Sequence, residues 1–273
     1  DQYRPFYSTY PQYRSIVSFT NDSRSWYDSI QLSYHQNLWH GTSSQYNYTL
    51  SKCTDYNSGN RDGATEQAMN PYDPSNNLGP CGADIRHNFN FAGTYEIPKT
   101  SVGGSPLQIG AVVTALSGRP FTPGVGSFDQ SGQNTGQLRA DCLADPIYNY
   151  DLSYLFPDPA TTNPAITNAA TAFGTPAAGR LGTCGRDSGR GPAFAQLDMN
   201  LLKEFRMSNG ARIQARWEIF NVTNRVNLGG FLSSSTRSAS FGKIGTTPDV
   251  DRGNPVLGSG GPRTMQWAIK VLF

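Results

Sequence analysis

Charge is scarce in this chain. Of 273 residues, 22 are Lys or Arg and 20 are Asp or Glu, 15% in all, against roughly 25% in ordinary soluble domains. The formal net charge is +2 and the basic residues are scattered, so the clustered basic face that nucleic acid requires is missing. No run approaches the roughly 20 apolar residues of a membrane-crossing helix, and apolar residues almost nowhere recur with a helical period. The Ala/Thr/Asn-rich stretch Ala160 to Gly179 has prolines and no apolar stripe, which favours a loop over a short helix. Only three histidines occur, and His35, His40 and His87 have no metal-ligand spacing. Asp249-Val-Asp-Arg-Gly-Asn254 lacks the spacing and terminal Glu of a calcium loop. No Gly-rich phosphate loop followed by Lys-Ser/Thr is present. The segment Cys184 to Pro192 superficially resembles the nucleophile loop of trypsin-like proteases. Arg186 and Arg190 stand where glycines belong, however, and no histidine has the matching setting. The expectation is no catalytic residue, no metal, no cofactor and no enzyme.

What replaces charge is neutral and aromatic. Aromatics reach 12%, with 29 Gly and 18 Pro, a composition that suits strands joined by irregular loops. Four cysteines fall as two local pairs, Cys53 with Cys81 and Cys142 with Cys184. An even count in polar, irregular segments predicts two disulfides and an oxidising compartment.

Eight segments carry the two-residue period of a strand, in which successive side chains point to opposite faces. The first lies around Tyr13 to Thr20. The second sets Trp26, Asp28, Ile30, Leu32 and Tyr34 against Tyr27, Ser29, Gln31, Ser33 and His35. The third places Tyr46, Tyr48 and Leu50 opposite Asn47, Thr49 and Ser51, and the fourth Phe89, Phe91, Tyr95 and Ile97 opposite Asn88, Asn90, Thr94 and Glu96. The fifth, near Ile109 to Leu116, is apolar on both sides. The sixth alternates Leu197, Met199 and Leu201 with Gln196, Asp198 and Asn200. The seventh is the clearest: Ile213, Ala215, Trp217 and Ile219 alternate with Arg212, Gln214, Arg216 and Glu218. The eighth has Met265, Trp267, Ile269, Val271 and Phe273 on one face and Gln266, Ala268 and Lys270 on the other.

Connections after the second, fourth and sixth segments are short: Asn37 to Thr42, Pro98 to Pro106 and Met207 to Gly210. Those after the third, fifth and seventh are long: roughly Cys53 to Gly82, Arg119 to Pro192 and Asn224 to Gly261. In an antiparallel meander alternate connections emerge at opposite ends, so one rim carries tight turns and the other nearly all the irregular mass. Outer-membrane barrels have that asymmetry, with short periplasmic turns, long extracellular loops and spanning strands of about 9–11 residues. Both cysteine pairs fall in the long connections, on the oxidising side. The expected fold is therefore all-β, an antiparallel transmembrane β-barrel segment of about eight strands in the outer membrane, with the lipid bilayer as its first partner. Arg212, Gln214, Arg216 and Glu218 are the candidates to face the lumen. Trp267, Ile269, Val271 and the terminal Phe273 are the candidate signal for the barrel assembly machinery.

Four motifs sharpen this. Asp84-Ile-Arg-His-Asn-Phe-Asn-Phe-Ala-Gly-Thr-Tyr-Glu-Ile-Pro98 resembles a strand of Oar-like TonB-dependent receptors with the pattern D-x-R-H-x-F…G-x-Y-x-x-P. Ser117-Gly-Arg-Pro-Phe-Thr122 is similar to that family's S-G-x-P-F strand end. Arg186-Asp-Ser-Gly-Arg-Gly-Pro-Ala-Phe194 looks like its R-N-x-x-R-G-P-x-F lead-in, and Phe220-Asn-Val-Thr-Asn224 like its F-N-x-x-N strand end. The resemblance covers almost the whole chain in order. It implies that residues 1–273 are the C-terminal portion of a larger, 22-stranded barrel whose plug and N-terminal domains lie outside this sequence. It also implies a parent protein that takes up a nutrient ligand of unknown identity with energy from TonB, contacted through those other parts. Small residues on the polar faces (Ser29, Ser33, Asn47, Ser51, Asn90, Thr94) suit a wide lumen. Two alternatives stand beside it: a self-contained binding or adhesin barrel, and a secreted soluble β-sandwich enzyme.

Overall fold

The computed structural model describes residues 6–13, 21, 23–58, 68–70, 72–97, 104–128, 130–132, 138–150, 165–208, 210–251 and 259–273. In chain order the strands are β1 (Ser25–Trp39), β2 (Thr42–Asp55), the two-residue β3 (Gly79–Pro80), β4 (His87–Ile97) and β5 (Gly104–Leu116). Four more two-residue strands follow, β6 (Pro120–Phe121), β7 (Asp141–Cys142), β8 (Phe173–Gly174) and β9 (Gly189–Arg190). The chain then makes β10 (Phe194–Arg206), β11 (Arg212–Phe220) and β12 (Thr264–Leu272). The expected first strand falls on residues 14–20, outside the described residues. One turn of helix, α1 (Ala169–Ala172), forms within the stretch expected as loop, and a second, α2 (Pro248–Asp251), precedes β12.

The long strands make a single antiparallel sheet in the order β1-β2-β4-β5-β10-β11-β12, with β3 added beside β2. It is open: among the described residues β1 pairs only with β2, and β12 only with β11. Register shifts only near Gln36/Trp39 and Lys203/Phe205, so across the middle of the sheet cross-strand rows keep one character. One row reads Tyr95, Ile109, Leu201, Trp217, Trp267. On the same face Tyr34, Tyr46 and Phe91 stack in sequence, with ring centroids 5.9 and 4.7 Å apart. The opposite face carries the row Ser33, Asn47, Asn90, Thr114, Gln196. A slip of one residue anywhere would exchange the two faces, so the alternating pattern itself holds the pairing.

Hairpins β1–β2, β4–β5 and β10–β11 turn at one rim. The first tightens to His40 and Gly41, both at positive φ (48° and 79°), as a two-residue turn matched to strand twist requires. Glu96 donates its backbone N–H to Gly41 at 2.8 Å, which ties the end of β4 to that turn. The connections 56–86, 117–193 and 221–263 emerge at the other rim, and their described residues pack on one another as a cap.

The buried core lies in this cap, away from the sheet. Met69, Val125, Leu138, Ala140, Ile166, Phe173 and Phe241 form it, drawn from all three long connections. Backbone contacts lock the connections together. Gly124 bridges both Arg139 and Ser235, and Ile166 donates to Gly242 at 3.1 Å. At the base of the cap β6 pairs with β9, and Gly118 passes so close to Gly191 that a Cβ on it would overlap the Gly191 carbonyl oxygen. Neither backbone has room to yield there. Gly118→Ala should therefore undock this crossing, at a cost of about 1–3 kcal/mol or more. The check is protease cleavage within 117–193, which should rise while strand content stays constant; unchanged cleavage would show that the approach is not limiting.

Candidate functional site

Two surfaces meet at the long-loop rim, and their chemistry differs. The first is the apolar face of the sheet. Nothing described covers it: Trp267 and Ile269 are 73% and 77% exposed, and Ile30 and Leu32 on the far edge are similarly open. Trp217 and Trp267 stack flat, 4.6 Å apart at 4°. A soluble sandwich would bury such a face against a second sheet, and here the small sheets β6–β9 and β7–β8 belong to the cap. The expected assembly residues Trp267, Ile269 and Val271 all lie on this face of β12, beside its unpaired edge, and Phe273 follows β12 fully exposed.

The second surface is the polar face. Arg212, Gln214, Arg216 and Glu218 share it, as expected from their alternation with Ile213, Ala215, Trp217 and Ile219. Their charges are answered locally. Arg216 lies 3.5 Å from Glu218, Arg212 lies 3.8 Å from Glu204, and Gln266 hydrogen-bonds Glu218. Glu96 on β4 accepts a 2.8 Å hydrogen bond from Gln108, its direct cross-strand partner on β5. Glu204, Arg212 and Lys270 stand near the short-turn rim, while the rows nearer the cap are mostly amides and hydroxyls.

The cap is bolted to the sheet by buried ion pairs that reading the sequence did not single out. Arg186, with 7% of its side chain exposed, pairs with Asp55 at the end of β2 and with Asp187 at 3.0 Å. It also donates to the backbone oxygens of Asn77 (2.9 Å) and Asp55 (2.6 Å) and to Ser58 Oγ (3.0 Å). Asp187 is held in turn by the Thr122 hydroxyl at 3.0 Å. Arg190, just before β10, pairs at 2.8 Å with Asp84, whose other oxygen accepts the Cys53 N–H at 3.0 Å. Arg139 reaches Asn76 O at 2.7 Å and Asn77 Oδ1 at 3.3 Å. Burial first, then the neighbouring Arg186 charge, lower the Arg139 pKa from its ordinary value, and Asp187 offsets part of this. Burial and the adjacent Tyr148 push the Tyr150 phenol up, and its hydroxyl donates to Arg190 O at 2.8 Å.

Both expected disulfides form, Cys53–Cys81 across 28 residues and Cys142–Cys184 across 42. Cys53 is not in a loop, however: β2 runs on to Asp55, so this bridge fastens the first long connection to a strand. The F-N-x-x-N motif also has a structural role. Asn221, buried and at φ 53°, donates to the carbonyls of Arg225 (2.7 Å) and Gly261 (2.9 Å), closing the neck of the last long connection. Among the described residues no three His, Cys, Asp or Glu side chains cluster as metal ligands.

Strands of 9 to 15 residues, one bare apolar face, one hydrated face and a disulfide-tied cap at one rim define the wall of a membrane-crossing β-sheet. The family comparison agrees. The chain belongs to the outer membrane beta barrel domain family, whose profile matches residues 1–266, and its place is the outer membrane. No curated protein and no solved structure matches it.

Two tests follow. Ile269→Lys, on the apolar face, should cost about 2–4 kcal/mol of stability in lipid, whereas Ala268→Lys, one residue away on the polar face, should cost far less. Denaturant titration in vesicles reads the difference, and equal costs would mean that hydrocarbon does not touch β12. Arg186→Leu leaves Asp55 and Asp187 buried without their cation and should loosen the cap by about 3–5 kcal/mol. Hydrogen exchange should then quicken at 55–58 and 77–79 while β10–β12 stay protected.

Proposed function

We propose that the chain forms part of the wall of a larger, non-enzymatic outer-membrane receptor barrel that takes up a nutrient ligand with energy supplied through TonB. The observation that carries this is the open sheet. In hydrocarbon every backbone polar group must be paired, and among the described residues β1 and β12 each keep a free edge. Further strands completing the ring would satisfy both edges. β1 starts at the cap rim whereas β12 ends at the short-turn rim, so one more crossing before β1 would give the even strand count usual in bacterial barrels. The four motifs shared with Oar-like TonB-dependent receptors support a parent barrel with its plug and TonB-contacting parts elsewhere. Ligand contact falls to the cap and the upper polar face, and the free β12 edge with Trp267, Ile269 and Val271 is where the barrel assembly machinery would engage.

Cysteine cross-linking in the parent protein tests this. Ser33→Cys with Asn47→Cys, directly opposite across β1–β2, should bridge. Ser33→Cys or Ser29→Cys combined with Gln266→Cys or Lys270→Cys should not. A bridge between β1 and β12 would mean a small self-closed barrel. Its interior would be filled by side chains, and it would act by binding or adhesion without transport.

A further inference from the structure

The polar face is not uniform. One cross-strand row, Ser33, Asn47, Asn90, Thr114 and Gln196, runs over β1, β2, β4, β5 and β10 without a charged residue. Its members spend part of their bonding capacity on one another and on their strand neighbours. Ser33 donates to Asn47 Oδ1, and Asn90 Nδ2 donates to Asn88 Oδ1 at 2.6 Å. Gln196 donates to the Asp198 carboxylate at 2.7 Å. Gln196 is 4% exposed, and among the described residues its Oε1 accepts no hydrogen bond. A buried acceptor left unmatched costs about 1–3 kcal/mol, so a donor that reaches this end of the row is favoured there.

The neighbouring charges are committed elsewhere. Asp198 accepts from both Gln196 and the Asn221 N–H at 2.8 Å, Arg212 and Glu204 answer one another near the short-turn rim, and Arg216 and Glu218 answer one another further up β11. An ionic ligand lying along the row would leave water without finding a counter-charge, and burying an unpaired charge is strongly unfavourable. Amides and hydroxyls, in contrast, both donate and accept, as the hydroxyl groups of a sugar do. Tyr27 adds an exposed aromatic ring on the same face, at the cap rim.

We propose that this row is a binding track for an uncharged, hydroxyl-rich solute, an oligosaccharide chain, lying across the strands beneath the cap. The inference rests on the receptor-wall reading and specifies the ligand class of that wall. It is tested on the full parent protein in detergent, with folding shown independently by heat-modifiable migration. Calorimetric titration uses maltohexaose, cellohexaose and xylohexaose, with citrate and tetra-alanine as the ionic and peptide probes. At least one hexasaccharide should bind, and citrate and tetra-alanine should not. Asn90→Leu and, separately, Thr114→Val should each weaken that binding by about tenfold, while Val113→Ala on the apolar face should leave it unchanged. A folded barrel that binds none of the three sugars, prefers citrate or the peptide, or binds sugar equally well in both row variants overturns the track and leaves the wall reading intact. A parent protein that never migrates as a barrel removes the wall reading and the track together.

Discussion

A peptide group inside hydrocarbon has no water to bond, and each one left unpaired costs several kcal/mol. That penalty dictates the rest of this molecule. It forces seven long strands into unbroken ladders, with register shifts confined to the ends near Gln36/Trp39 and Lys203/Phe205. It also makes the two-residue period of the side chains decisive, because a ladder fixed in register turns alternation along each strand into two continuous faces. Trp217 beside Trp267 and Asn47 beside Asn90 are two results of the same constraint.

A sheet that gives one face to lipid and the other to water has no interior of its own. Among the described residues the core therefore forms outside the sheet, in the three long connections. Irregular backbone packs poorly by itself, and two devices compensate. The disulfides shorten the unfolded ensemble of the connections, an effect of roughly 3.5–4 kcal/mol each on a chain-entropy estimate. The pairs Arg186–Asp55 and Arg190–Asp84 add little net stability, since desolvation offsets their attraction. Their geometry instead admits only one placement of the cap on the ends of β2, β4 and β10.

How much of this was legible in the sequence follows from the range of each interaction. Strand faces were legible because alternation is local: Arg212, Gln214, Arg216 and Glu218 lie together on the polar face as their spacing requires. The two-rim asymmetry was legible from connection lengths alone. The disulfide partners were legible because each pair is close in the chain. The Arg186–Asp55 clamp was not, since its partners stand 131 residues apart and nothing near Asp55 marks it. Arg186, Arg190 and Asp84 all sat within recognised motifs, yet a motif names residues without saying what they touch. The one-turn helix α1 was hidden for a different reason. Its four residues carry no amphipathic period, and only the surrounding cap, with Ala172 and Phe173 buried in the core, gives them a reason to coil.

The clamp has a further consequence for access to the polar face. Asp55 closes β2, Asp84 precedes β4 and Arg190 precedes β10, so the cap is anchored to three strands that also carry Asn47, Asn90 and Gln196 a few residues further down. A solute reaching that row from the outer side must pass beneath a cap whose position is set by buried charge pairs, with the Cys53–Cys81 bridge beside them. On the binding-track proposal, rigid anchoring of this kind would place selection in the fixed position of the cap and the neutral row below it.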